Sequence, residues 1–157
     1  MRIYLVVMDE TEEAKKALRF ASVRARETGG AVHILALVPM QNFNAFAGVQ
    51  ATIEQEARER AEVMANAAAG NIFAESGKMP TIAVRPGKPT EVIREYIAQH
   101  EGIAALVLGA GEDGGPGPLV NHFASGAHAL PCPLYVIPGK LDQDQLDDLA
   151  GVGGTEG

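Results

Sequence analysis

Short apolar runs alternate with amphipathic segments along most of the chain. Five of these runs are rich in aliphatic residues and have the length of strands that are buried on both faces of a parallel sheet. They are Ile3–Met8, Ala31–Val38, Thr81–Val84, Ala104–Leu108 and Leu134–Ile137. Because parallel neighbours need a crossover connection, helices should cover both faces of the sheet. The pattern predicts an open, doubly wound α/β domain with a five-stranded parallel sheet.

Helix signals occupy the segments between these runs. Asp9 and Glu12 have the spacing of a capping box, and Gly29-Gly30 suits the end of the helix that follows. Helical spacing of apolar residues predicts a second helix over residues 51–69. Thr90 is placed to cap a third helix, and a fourth short helix should reach Leu130.

The chain ends in an acidic tail. Residues 141–157 hold five acidic residues and no basic one, which leaves 13 basic and 15 acidic residues in residues 1–140. Asp142 and Gln145 form a capping box, and Leu141 and Leu146 are spaced for a hydrophobic staple. We therefore expect a domain over residues 1–139 and a tail over 140–157, with a two-turn helix followed by disorder. Such a tail is usually solvated, although a docking role stays open.

Composition excludes several classes of protein. The 157 residues, 46% apolar and 21% charged, fit one globular domain. The single cysteine, Cys132, excludes an intramolecular disulfide and favours a reducing compartment. No apolar run approaches the ~20 residues of a membrane helix, and the N-terminus becomes acidic too early for a secretory signal. Without a basic face there is no footprint for nucleic acid. We expect a cytoplasmic protein with no membrane or nucleic-acid partner.

The segment Gly109–Pro118 follows the fourth strand, at the sheet edge where ligands of open α/β sheets bind. It matches G-x-G-x-x-G, but a dinucleotide fingerprint belongs after the first strand, with an acid about 20 residues on. Glycine amides and a helix beginning at Gly117-Pro118 could instead cradle a phosphate. Glu112 and Asp113 oppose this role, and no lysine or arginine lies between Gly109 and Gly139. A phosphate cradle and a plain glycine turn both stay open.

The remaining candidates for chemistry are weak. The four histidines, His33, His100, His122 and His128, do not have metal-ligand spacing. Cys132 lies between two prolines, without the base and orienting group that a catalytic nucleophile needs. We therefore expect no metal site and no enzymatic activity.

The order and spacing of several segments resemble the universal stress protein family. The resemblance reaches about Pro138 and is carried by Ile3–Asp9, Ala17-Leu18-x-x-Ala21, Ala31–Val38, Gly87-x-Pro89-x-Glu91-Val92-Ile93, Ala105–Gly109 and Pro131–Ile137. It implies a five-stranded sheet of the adenine nucleotide alpha hydrolase type and dimers formed through the last strand. In one branch of the family it implies ATP or AMP binding. The implied role is regulatory or protective rather than catalytic.

The nucleotide-binding branch has glycine, two residues, glycine, nine residues, then glycine and serine or threonine. Gly111 and Gly114 match the first part, and the spacing then reaches Ala124-Ser125, where alanine replaces the glycine. A second alignment starts the helix at Pro118 and puts Asn121 near the position of the serine. Both alignments leave the motif degenerate.

Two further positions map more cleanly onto the family. The resemblance places Asp9 beside the adenosine, a role compatible with capping a helix, and Val38 at the backbone that reads the adenine edge. Phe43 and Phe46 would either stack on the base or anchor their loop. The full set of candidate nucleotide-binding residues is Asp9, Val38, Gly109, Gly111, Gly114, Gly115, Gly117, Asn121 and Ser125.

Two functions are consistent with these residues. The favoured one is a dimeric interaction module in which nucleotide binding is weak or lost, since the glycine segment is acidic. The alternative is a stress sensor that binds ATP or AMP. The apolar run Leu134–Ile137 is last in the predicted sheet, and an uncovered apolar edge tends to pair with a second copy. A tail helix folded over this edge would instead give a monomer.

Overall fold

Strands and helices alternate through the part of the chain that the structure, a computed structural model, describes: residues 2–38 and 47–151. The elements are β1 (Ile3–Met8), α1 (Glu12–Thr28), β2 (Ala31–Val38), α2 (Ala47–Ser76), β3 (Thr81–Pro86), α3 (Pro89–Gln99), β4 (Ile103–Ala110), α4 (Pro118–Ser125), β5 (Leu134–Pro138) and α5 (Gln143–Ala150). A 3₁₀ turn, Ala127–Ala129, joins α4 to β5. The sheet has the order β3-β2-β1-β4-β5 with every pair parallel. The predicted fold class is confirmed.

The strand order reverses between β1 and β4. From β1 the chain moves outward to β2 and β3, and α1 and α2 pack on one face of the sheet. It then returns to β4 and continues to β5, and α3 and α4 pack on the other face. Residues of β1 alternate between the two cores, with Val6 in one and Leu5 in the other, both fully buried. A crevice therefore opens where β1 and β4 end side by side.

The helix α2 is longer than the apolar pattern predicted. It runs through Gly70 and ends at Ser76, where Gly77 adopts a positive φ of 76°. Its buried face is built from Ala57, Ala61, Ala65, Ala69 and Ile72. Alanine has a high helix propensity but contributes weakly to an amphipathic pattern, so the ends of this helix are hard to place from sequence.

Three helix ends also differ from their predicted positions. The N-cap of α1 is Thr11 rather than Asp9, because the Thr11 hydroxyl accepts a hydrogen bond from the Ala14 amide at 3.2 Å. The helix α3 begins at Pro89, whose fixed φ suits a first helical position, so Thr90 is not the cap. The helix α4 ends at Ser125, before Gly126, and does not reach Leu130.

The tail helix α5 is folded back against α1. Its predicted capping box is present, with reciprocal hydrogen bonds between Asp142 and Gln145 of 2.8 and 3.0 Å. Leu146 is buried in the same core cluster as α1. The Arg19 guanidinium donates to both carboxylate oxygens of Asp147, at 2.8 and 2.9 Å. This part of the acidic tail is therefore docked on the domain.

The strand β5 forms one border of the sheet. Within the described ranges it pairs with β4 and has no second strand partner. Its Val136 side chain is 37% exposed. The tail helix packs on α1. None of the helices in these ranges is long and apolar enough to cross a membrane.

Candidate functional site

A cleft opens at the carboxyl edge of the sheet, between the ends of β1 and β4. It encloses about 170 Å³, and its lining residues come from β1, the start of α1, β4 and the start of α4. They are Val7, Asp9, Thr11, Glu13, Ala14, Leu108, Gly109, Pro116, Gly117, Pro118, Leu119 and Val120. The turn that leaves β4 therefore lies beside Asp9 at the mouth of the parallel sheet.

The Asp9 carboxylate holds the start of α1. Its Oδ1 accepts hydrogen bonds from the Thr11 amide at 2.9 Å and from the Thr11 hydroxyl at 2.5 Å. The Thr11 hydroxyl in turn accepts from the Ala14 amide and so caps the helix. Asp9 thus brings a negative charge to the cleft while supporting the cap indirectly.

Gly109 is the point of closest approach between β4 and α1. A Cβ atom on this residue would lie 2.1 Å from the Glu13 carbonyl oxygen, a distance that real side chains do not adopt. A Cβ on Gly111 would lie 3.3 Å from Glu13 Oε2. The Glu13 carboxylate is therefore directly beside the glycine loop, a contact that the sequence pattern did not indicate.

The loop from Gly111 to Gly117 closes on itself and leads into α4. The Gly111 amide donates to the Pro116 carbonyl at 3.3 Å. Gly114, Gly115 and Gly117 have positive φ angles of 75°, 92° and 103°, and a Cβ on any of them would meet nothing within 4 Å. Backbone conformation, rather than contact with a neighbour, accounts for these three glycines.

The first turn of α4 offers few hydrogen-bond donors to an anion. Gly117 is its N-cap and Pro118 its first residue, so one of the free amides at this helix start is missing. The side chains that line the cleft include the carboxylates Asp9 and Glu13 and no lysine, arginine or histidine among the described residues. Electrostatics at this site therefore disfavour a polyanion.

A basic side chain lies on the other side of the glycine loop. Lys140 lines a surface depression together with Glu112 and Asp113. It follows β5, which ends at the same sheet edge as β4, so parallel neighbours bring it to the loop. Its position could have been inferred from the predicted topology, although it lies outside the glycine segment in sequence.

A model of the universal stress protein family matches residues 1–138 of this chain. The chain belongs to this family. Solved structures share its fold: UspA from Lactobacillus plantarum superposes with a TM-score of 0.76 at 20% identity, over 87% of this chain and 97% of that one. A universal stress protein family member from Burkholderia pseudomallei gives 0.68 at 19%, over 87% and 95%. A family member from Arabidopsis thaliana with AMP bound gives 0.52 at 16%, over 88% and 92%.

At these identities the structural likeness establishes the fold alone. A search of curated proteins gave no match to the chain. What a universal stress protein of this sequence binds must therefore be argued from its own residues.

The structure gathers some of the predicted site residues of this universal stress protein and separates others. Asp9, Gly109 and Gly117 line the cleft, and Gly111, Gly114 and Gly115 lie in the adjoining loop. Val38 ends β2 at the same sheet edge but is buried and does not line the cleft.

The two alignments of the degenerate motif have different structural outcomes. Because α4 begins at Pro118, Asn121 lies near its start, and its amide makes a helix bond to Gly117 at 3.0 Å. Ser125 is the last residue of this helix, roughly 10 Å along its axis from Pro118. Neither residue lines the cleft. Phe43 and Phe46 lie outside the described residues.

A cluster of three rings lies between β2 and α3. The His33 Nδ1 atom is 2.7 Å from the Tyr96 hydroxyl, and the Tyr96 and His100 rings stack with centroids 3.9 Å apart. Burial, and then the nearby His100, lower the pKa of His33. Burial raises the pKa of Tyr96 and of the Cys132 thiol. In the described ranges no three histidine, cysteine or acidic side chains are grouped to hold a metal ion.

Proposed function

We propose that this universal stress protein is a regulatory or protective homodimer that acts through protein interactions, with weak or lost adenine nucleotide binding. The observation that carries the proposal is the charge of its cleft. Asp9 and Glu13 line it without a cationic side chain among the described residues, and Glu112 and Asp113 extend from the loop beside it. The phosphates of a nucleotide would be placed against like charges.

The size of the cleft supports the same proposal. Its volume of about 170 Å³ is smaller than the roughly 300–1,000 Å³ of sites that enclose a small molecule. Close contact between Gly109 and the backbone of Glu13 keeps the two walls together. A whole nucleotide would need these walls to separate.

An adenine nucleotide sensor is the second candidate function. It is favoured by the position of α4, whose first turn lines the cleft and presents the Leu119 and Val120 amides. The Arabidopsis thaliana family member was solved with AMP bound. Both candidates assign the chain to regulation, and they differ in whether a nucleotide is the signal.

Calorimetric titration with ATP and with AMP, each with magnesium, tests the two candidates on protein freed of co-purified ligand. We expect no heat of binding up to millimolar nucleotide. Glu13→Gln removes a carboxylate from the cleft and should raise the affinity for nucleotide. The control Glu27→Gln, at the far end of α1, should leave that affinity unchanged. Binding by the unmodified chain tighter than ~100 μM would overturn the interaction proposal.

The dimer proposal rests on the free edge of β5. The Leu106 amide donates to the Pro133 carbonyl at 2.9 Å, and the Gly139 amide donates to the Ala110 carbonyl at 2.8 Å. The backbone amides and carbonyls of successive strand residues point to opposite sides. Leu134 and Val136 therefore direct their amides and carbonyls away from β4. A second copy can pair with these groups antiparallel across a two-fold axis.

Sedimentation velocity of matched variants tests this edge. Val136→Pro removes one outward amide without removing a bond to β4, and it should give a monomer. Val136→Thr keeps the amide and the β-branched shape, and it should sediment as the dimer. A dimer that survives Val136→Pro would refute pairing through β5. A full chain that is monomeric, and dimerises only after truncation at Gly139, would show that the tail prevents pairing.

The proposal includes no catalytic reaction. The one hydroxyl among the lining residues, that of Thr11, bonds to Asp9 and caps α1. The described residues around it include no histidine or cysteine that could act as base or nucleophile. The cytoplasmic location stays a prediction.

A further inference from the structure

A groove between α1 and α2 opens at the amino edge of the sheet, opposite the cleft. Its main cavity encloses about 540 Å³, which lies within the range of small-molecule sites. The walls come from the second half of α1, the start of β2, the end of α2 and the segment before β3. The lining residues include Ser22, Ala25 and Arg26 of α1, Ile72 and Ser76 of α2, and Lys78.

The groove exists because the facing helix surfaces carry short side chains. Ser22 and Ala25 line the groove from α1, and their side chains are too short to fill the space between α1 and α2. A second cavity of about 340 Å³ shares Ser22 and Ile72 with the first and continues along the helices to Met64. Methionine adapts its shape readily to an apolar occupant. Together the cavities form an elongated groove, apolar along much of its length, with Lys15 and the Arg19–Glu75 ion pair lining the second cavity.

The main cavity carries positive charge. Arg26 and Lys78 are exposed and line the main cavity, which no acidic side chain lines. Neither makes an ion pair within 4 Å among the described residues. Asp147 is close enough for Arg26 to help lower the pKa of its carboxyl, but its two oxygens are bonded to Arg19.

The two hydroxyls in the cavity have different partners. The Ser76 hydroxyl donates to the Ile72 carbonyl at 2.8 Å and accepts from the Lys78 amide at 3.2 Å, so it closes the end of α2. The Ser22 hydroxyl has no hydrogen-bond partner in the described part of the chain and lies where the two cavities meet. It leaves a polar atom available at the junction of the two cavities.

We propose that this groove binds a small amphipathic carboxylate, with its apolar body between α1 and α2 and its carboxylate at Arg26 and Lys78. The guanidinium fork of arginine matches a carboxylate in a bidentate arrangement, and the lysine adds a point charge. The apolar residues of the main cavity disfavour a nucleotide or a sugar as the body of the ligand, because most polar groups of such a ligand would lose water without replacement. The site is separate from the cleft, with which it shares no lining residue.

Calorimetry with decanoate below its micellar concentration tests the site, with decanol as the uncharged counterpart. Decanoate should bind, and decanol should bind at least about tenfold more weakly because it lacks the charge. Arg26→Gln and Lys78→Gln should each weaken the binding of decanoate but not that of decanol. The control Arg60→Gln, elsewhere on α2, should bind decanoate as the parent does. Ser22→Leu fills the junction of the cavities and should abolish binding of both probes.

Methyl-resolved NMR spectra locate the probe on the full chain. Decanoate should shift the Ile72 and Met64 methyl signals and leave those of Val7 and Leu108 in the cleft unchanged. The inference is overturned if decanoate is silent at millimolar concentration, if decanol binds equally well, or if the shifts appear in the cleft. Should Ser22→Leu unfold the chain, the two exposed charge variants still decide the question, and their failure to weaken binding would also refute the site.

Discussion

At the scale of single residues, Gly109 joins the sheet to α1 more closely than any side chain would permit. Gly109→Ala places a Cβ against the Glu13 carbonyl, so the strand or the helix must shift. We expect the free energy of unfolding to fall by about 1–3 kcal/mol in urea titrations. Gly70→Ala is the matched control, because this helical position is open and alanine should stabilise it by about 0.5–1 kcal/mol. A Gly109→Ala variant as stable as the parent would show that the contact yields without cost.

The glycines also show what the sequence reveals about a site and what it conceals. The position of the glycine segment after β4 was predictable from strand order. The reason for each glycine was not predictable. Close packing requires glycine at Gly109 and a positive φ favours it at Gly114, but the sequence shows the same residue type in both cases. The Glu13 carboxylate was missed because a residue in the first turn of a helix carries no signal for the loop that will lie beside it.

At the scale of elements, α5 is fastened to α1 by basic side chains. Arg19 bonds to Asp147 and also contacts Glu75 of α2, and Arg24 donates to the Ala150 carbonyl at 2.9 Å. Lys16 donates to the Gly139 carbonyl just before this helix. The Arg19 side chain is only 23% exposed, so its charged bonds are partly shielded from water.

Arg19→Met keeps much of the aliphatic stem but loses these bonds. We expect a loss of about 1–2 kcal/mol in the free energy of unfolding and faster tryptic cleavage after Lys140. Lys15→Met removes an exposed pair with Glu12 and should cost less than about 0.5 kcal/mol. Equal cleavage rates in the two variants would show that the Arg19 bonds do not hold α5 in place.

The sequence predicted that these strands and helices exist, but it predicted the residues at which they begin and end less well. The capping box of α5 was correct because Asp142 and Gln145 act locally, within one turn. The predicted caps of α1 and α3 were wrong because a neighbouring residue determines where each helix begins. Thr11 caps α1, and Pro89 is the first residue of α3. Docking of the tail depended on Arg19 and Asp147, which are 128 residues apart and share no local pattern.

At the scale of the whole molecule, the ring cluster of His33, Tyr96 and His100 links stability to pH. Burial lowers the pKa of His33, so the unfolded chain, where the pKa is near the ordinary 6.5, binds the proton more readily. The contribution of His33 is therefore complete above about pH 6.5 and is lost as the pH falls through the lower folded pKa. In the charged imidazole, Nδ1 can only donate to the Tyr96 hydroxyl.

Urea midpoints at pH 7.5 and pH 5 measure this linkage. The parent should lose more stability between the two values than His33→Gln, which cannot become charged. His128→Gln, at an exposed position in the turn before β5, should follow the parent. Identical pH dependence of the parent and His33→Gln would exclude His33 as the group responsible.

The global arrangement was the most predictable level of all. Continuous apolar runs and helical crossovers leave few parallel topologies, and the order of segments matched one family. The groove between α1 and α2 could not be predicted from the sequence, because it arises where small side chains of two distant segments face each other.

If two copies pair through β5 across a two-fold axis, the all-parallel sheet has a geometric consequence for the proposed dimer. The strands of one protomer then run opposite to those of the other, so their carboxyl ends point in opposite directions. Each long rim of the joined sheet would present the cleft of one subunit next to the groove of its mate. Two identical partners would then bind at opposite rims of the proposed dimer, facing away from each other.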